Sequence, residues 1–165
     1  MITPTGALIL LVPVLPIAIW ASVNDMKRMK IPNNAVLALA AVWPLLGWLA
    51  VATWTAWFWG FALMAIVLVA GYLLYTTGTF GAGDAKYTAA MAPIFVGADI
   101  LWLLMLIAGC LLGALITHRI MRGIPAVRNM TPDWKSWTER RYFPLGFALS
   151  GIVVFYLVAA IWPQV

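Results

Sequence analysis

Long apolar blocks alternate with short polar breaks along this chain, and charges mark most of the breaks. A helix that crosses a hydrocarbon core of about 30 Å needs roughly 20 mostly apolar residues. On that measure the blocks predict helices over about 8–23, 35–51, 56–75, 100–117 and 145–162. Pro13 and Pro16 predict a kink in the first of them. A further apolar stretch, about 87–96, is short for a full crossing and reads as a packed helix starting below the interface or as a re-entrant piece. The expectation is an all-α, polytopic membrane protein of about six transmembrane helices, forming one domain over 1–165. Its polar loops fall at about 24–34, 76–86 and 118–144.

Composition removes the soluble alternatives. The 165 residues are 65% hydrophobic and only 9% charged, against roughly 45–50% and 25% in soluble domains. A soluble domain of this length cannot hide so much apolar surface, and a disordered chain is excluded for the same reason. The first residues lack a positive n-region and no A-x-A site follows, so the first apolar stretch reads as a retained helix. Cys110 stands alone, and it can form neither an intrachain disulfide nor a zinc site by itself.

Charge then orients the spans. The net charge is +5 and the pI near 9.7, which would suggest nucleic acid only if the basic residues formed a patch on a water-exposed face. Instead they sort by loop: three lie in 24–34, one in 76–86 and six in 118–141, which accounts for all ten. Both termini and the breaks near Thr53 and Asp99 hold none. This segregation predicts both termini outside and the charged loops in the cytoplasm, next to anionic lipid. Nucleic acid is not an expected partner; membrane lipid is. The tryptophans near span ends, Trp20, Trp54, Trp57, Trp59, Trp102 and Trp162, read as an interfacial belt.

Five acidic residues remain to be sorted. Asp133 and Glu139 read as counter-charges to Lys135, Arg140 and Arg141, and Asp99 as the N-cap of the fifth helix. His118 reads as an interfacial residue rather than a ligand. Asp25 and Asp84 fall where spans meet the same interface. Two carboxylates brought together in a low dielectric share a proton, and such a pair can activate water with one member while the other polarises a peptide carbonyl. Alternatively, Asp84 caps the helix that follows it, and Asp25 pairs with Lys27 or Arg28. Spacing alone leaves both options open.

Two motifs add a resemblance. Asp25 followed after five residues by Ile31-Pro32-Asn33, and Gly81-Ala82-Gly83-Asp84-Ala85-Lys86 with its GxGD core, resemble the two aspartate motifs of type IV prepilin peptidases. Phe143-Pro144-Leu145-Gly146 is similar to a weaker Pro-x-Gly element of that family. The resemblance implies a membrane aspartyl endopeptidase, independent of metal or cofactor, with Asp25 and Asp84 as the catalytic pair. Pro32, Asn33, Gly81, Gly83 and Lys86 support them in the motifs. It implies prepilin or pseudopilin substrates, cleaved at the cytoplasmic face of the bacterial inner membrane, and so a role in pilus biogenesis or protein secretion. The first cytoplasmic loop is short and has no CxxC pair, so the chain resembles the peptidase-only, tight-adherence (Flp-type) branch, and N-methyltransferase activity is not implied. A small proton-coupled transporter or channel using the same carboxylates is the alternative from another class, and an inactive secretion scaffold a third.

Overall fold

The computed structural model describes residues 1–139 and 142–162, and among them every regular element is helical. Helix α1 spans Pro4–Arg28, α2 Asn33–Ala50, α3 Trp54–Thr76, α4 Ala82–Met91, α5 Ile100–Gly123, α6 Pro125–Met130 and α7 Leu145–Ile161. Short 3₁₀ turns lie at Ala92–Phe95 and Lys135–Trp137.

Local sequence sets the helix starts. The Gly6 N–H donates to Thr3 Oγ1 at 3.0 Å, and Pro4 occupies the first turn, where its missing N–H costs nothing. Thr53 caps α3 in the same way, through the Ala56 N–H at 3.2 Å. Asp99 caps α5, as its place in the sequence predicts: the Trp102 N–H donates to its Oδ1 at 2.8 Å. Helix α1 is continuous through Pro13 and Pro16.

The ends differ from the sequence expectation. Helix α1 runs on from Val23 through Asn24-Asp25-Met26-Lys27-Arg28, and stops where Met29 turns left-handed (φ 55°) and donates its N–H to the Asp25 carbonyl at 2.7 Å. Met, Lys and Arg are good helix formers, and nothing forbids the helix until Pro32 approaches. Asp25 is therefore in the last turn of a helix and not in a loop. Helix α5 likewise continues past Thr117 to Gly123, just before Pro125. It takes His118, Arg119 and Arg122 out of the expected polar loop, the rest of which is partly helical in α6. Arg140 and Arg141 lie outside the described residues.

Helices α1, α2, α3 and α5 are long and apolar enough to cross a membrane. Helix α7 is apolar and 17 residues long, and α4 has only 10. The core lies where α1, α2, α4 and α7 meet, around Leu10, Val14, Leu39, Trp43, Tyr87 and Ile152. The apolar peripheral helices bury little: only Gly60 and Gly71 of α3, and Ala114 and His118 of α5. A helix apolar on every side can face lipid as well as protein.

Glycines permit the close approaches. A Cβ at Gly60 would strike the Trp43 indole, and Trp43 and Trp57 lock α2 to α3 by donating their indole N–H groups to each other's carbonyls, at 3.0 and 3.3 Å. At Gly71 a Cβ would stand 3.0 Å from that of Ala85, so α4 lies directly against α3 beside Asp84.

Candidate active site

At one end of the bundle α1 and α3 finish while α2, α4 and α7 begin, and a cleft of about 750 Å³ opens among them. Asp25, Asp84, Lys30, Asn33, Lys86 and Glu139 are among its lining residues. The opposite end, with Met1, Asp99 and Trp162, has no lysine or arginine around its own, smaller cavity.

Asp25 is only 5% exposed. Its Oδ2 accepts the Gly146 N–H at 2.7 Å, a contact across 121 residues. The fold explains this bond. Gly146 is in the first turn of α7, whose amides have no intrahelical acceptor, and the preceding Pro144 offers no capping side chain. Asp25 supplies the missing acceptor from another helix, at the positive end of the α7 dipole. A Cβ at Gly146 would stand 2.9 Å from that oxygen and from Ile31 Cδ1. Lys27, one of the alternative partners, is engaged elsewhere, with Asp133 at 2.7 Å.

Asp84 is the third residue of α4 and partly buried. Its carboxylate accepts from the backbone of Gly81, the N-cap residue, which has no side chain of its own to cap with. Asp84 does not cap a helix that follows it, as the sequence allowed: the helix already starts at Ala82, and its third residue reaches back to the N-cap position, as in half of a capping box, which does not compete with a chemical role. Burial pushes its carboxyl up to about 6, with the Gly81 bond pulling the other way. Asp25 lies within the electrostatic field of Asp84.

The other motif residues divide between support and rim. Pro32 caps the start of α2 with an extended backbone. Ile31, buried, touches both sides of the site: it sits 3.6 Å from where a Gly83 Cβ would be and 2.9 Å from that of Gly146. The small residues at 83 and 146 thus let α4 and α7 close on one isoleucine. Asn33, Gly81 and Lys86 are exposed at the cleft. Gly78, with φ 73°, makes the turn that leads into Gly81 and donates to the Tyr75 carbonyl at 2.9 Å.

Two features are absent from the sequence reading. Ile31 and Gly146 were visible only as motif letters, without the packing role each has. His118 is a buried anchor: its ring stacks on Trp137 (5.3 Å between centroids, 17° between planes) and meets the edge of Phe143 at 5.6 Å. It ties the segment before α7 to α5, and Phe143 in turn lines the cleft. No spacing signal links these three residues; only the fold joins them.

A second large cavity, about 810 Å³ between α1, α5 and α7, is almost wholly apolar and contains no carboxylate. Among the described residues no three His, Cys, Asp or Glu side chains gather as a metal-binding group would. The sequence profile of the type IV leader peptidase family matches residues 12–118, a span that includes both aspartates and ends before Gly146. No curated protein and no solved structure matches the chain.

Proposed function

This chain belongs to the type IV leader peptidase family, and we propose that it is an aspartic-type endopeptidase using Asp25 and Asp84 to remove the leader of Flp-like prepilins or pseudopilins. The observation that carries the reading is the shared cleft: residues far apart in sequence bring two carboxylates to one end of a membrane bundle. Six helical segments cross or enter the bacterial inner membrane, with both termini outside. The cleft then opens at the cytoplasmic face, where the lysines and arginines meet anionic lipid. The substrate's basic leader stays in the cytoplasm and its hydrophobic helix in the membrane.

In this mechanism one carboxylate is ionised and the other protonated. The ionised member takes a proton from water as the water oxygen attacks the scissile carbonyl carbon; the protonated member gives its proton to the carbonyl oxygen. The tetrahedral diol then collapses, the C–N bond breaks, and a proton passes to the leaving nitrogen. Gly146 holds Oδ2 of Asp25, so Oδ1 is the oxygen left for this chemistry. A proton-relay transporter would favour carboxylates near the middle of the bilayer, whereas both of these stand within one turn of a helix end.

Asp25→Asn and Asp84→Asn, each expressed with a prepilin and read by the gel shift of leader removal, should lower the rate by about 10²–10⁴-fold. Complete leader removal by either variant sinks the assignment.

A further inference from the structure

Deep in the core, between α4, which carries Asp84, and α7, whose Gly146 bonds Asp25, the Tyr87 hydroxyl and Ser150 Oγ form a hydrogen bond of 3.1 Å. Tyr87 on α4 is fully buried and Ser150 on α7 is 3% exposed. Neither hydroxyl is needed to fill space, since phenylalanine and alanine pack as well in an apolar core. Ser150 has a local alternative too, the carbonyl one turn back on its own helix. A bond that crosses between helices therefore calls for a reason other than burial.

Its position supplies one. Tyr87 lies one turn beyond Asp84 on the same face of α4, and Ser150 one turn beyond Gly146 on the same face of α7. Gly146 in turn holds Asp25. Asp84, Tyr87, Ser150, Gly146 and Asp25 thus form one connected path from carboxylate to carboxylate. Helix α4 needs such a fix: it is short, it follows a glycine-rich loop, and its first residue, Ala82, is exposed. A shift of one residue along α4 would move Asp84 by about 1.5 Å relative to α7.

We infer that the Tyr87–Ser150 hydrogen bond is a strut that sets the register of α4 on α7, and with it the separation of the two carboxylates. Both are positioning residues, remote from the substrate, and the inference rests on Asp25 and Asp84 being the catalytic pair.

The test uses the full chain in proteoliposomes with a prepilin substrate, comparing Tyr87→Phe, Ser150→Ala, the double variant and Ser150→Thr. Misplacing one reacting group lowers kcat while leaving substrate binding intact, so each single variant should lose about 10-fold in kcat with KM within about 2-fold. The double variant should be no worse than the poorer single, because both remove one interaction. Ser150→Thr keeps the hydroxyl and should restore most of the rate. Amide exchange over residues 82–91, read by mass spectrometry, should quicken in Tyr87→Phe and Ser150→Ala alike. If the Asp→Asn variants are inactive while Tyr87→Phe and Ser150→Ala keep the parental kcat, the strut is overturned and the catalytic pair stands. If the Asp→Asn variants still cleave, the catalytic reading fails instead, and unchanged exchange over 82–91 then overturns the strut as well.

Discussion

Asp25 stands in the last turn of a 25-residue helix and is held by an amide 121 residues away, whereas Asp84 stands in the first turn of a 10-residue helix and is held by a glycine three residues before it. Both bonds are made at the start of a helix that lacks a side-chain cap. In α4 the acid within the helix reaches back to its own N-cap; in α7 the acid comes from a different helix. One carboxylate is thus placed by local sequence and the other by tertiary packing. The consequence is mechanical. Anything that moves α7 against α1 displaces the Asp25 bond, while the Asp84 bond travels with its own helix.

The sharpest way to break this contrast is at the two glycines. Gly146→Ala puts a Cβ 2.9 Å from both Asp25 Oδ2 and Ile31 Cδ1, so the carboxylate and the isoleucine must both yield. We expect kcat to fall by about 10²-fold, since a misplacement of about 1 Å in an active site has that effect. A cleavage assay, with Tm in detergent as the folding control, checks it.

Gly81→Ala should do less. Its Cβ would lie 2.5 Å from Asp84 Oδ2, but the backbone at 81 (φ −74°, ψ 143°) suits any residue, and a local side chain can rotate away. A loss of about 10-fold is expected. Equal losses for the two glycine variants would remove the distinction between local and tertiary placement.

Charge on Asp84 provides a third test. Burial pushes its carboxyl in the folded protein up to about 6, above the ordinary 3.8. Ionisation therefore opposes folding: the penalty is absent below pH 3.8 and grows as pH rises through 6. Asp84→Asn should be more stable than the parent at pH 8, by on the order of 1–2 kcal/mol, and indistinguishable from it in the acid range. Thermal unfolding at the two pH values measures this, and a variant less stable than the parent at pH 8 would contradict it.

The smallest effect is expected at the solvent-facing pair Lys27–Asp133, whose side chains are 44% and 59% exposed. Exposed ion pairs contribute little. Lys27→Ala should leave Tm and cleavage unchanged within error, in contrast to any change at Asp25 two residues earlier.

Much of this arrangement is legible in the residue order. The apolar blocks locate α1, α2, α3, α5 and α7, Thr53, Asp99 and Pro144 mark starts, and the Asp84 site, with its glycines, is contained in six consecutive residues. Helix α4 was misplaced: it spans Ala82–Met91 and not the apolar stretch 87–96, so Ala82 to Lys86 of the expected loop are helical, Ala and Lys being good helix formers. Helix ends were less legible: polar Asn24 to Arg28 and His118 to Arg122 read as loops by hydropathy, yet stay helical because no breaker intervenes before Pro32 and Pro125. Hydropathy also failed to separate core from periphery. Helix α5 up to Thr117 and helix α7 are both apolar, but α5 buries two residues and α7 buries eight, since lipid satisfies an apolar side chain as well as protein does.

The sequence by itself determined a membrane bundle, the confinement of every basic residue to three short stretches of the chain, and the placing of Asp84 beside its glycines near a helix start. Each of these depends on neighbours in the chain or on transfer from water to hydrocarbon, both of which can be read in one dimension. Tertiary structure alone decided that Asp25 would cap α7, that Ile31 would fill the space between Gly83 and Gly146, and that His118 would anchor the segment before α7. These depend on which helix packs on which, and in an apolar chain that choice rests on shape and on a few polar groups seeking partners.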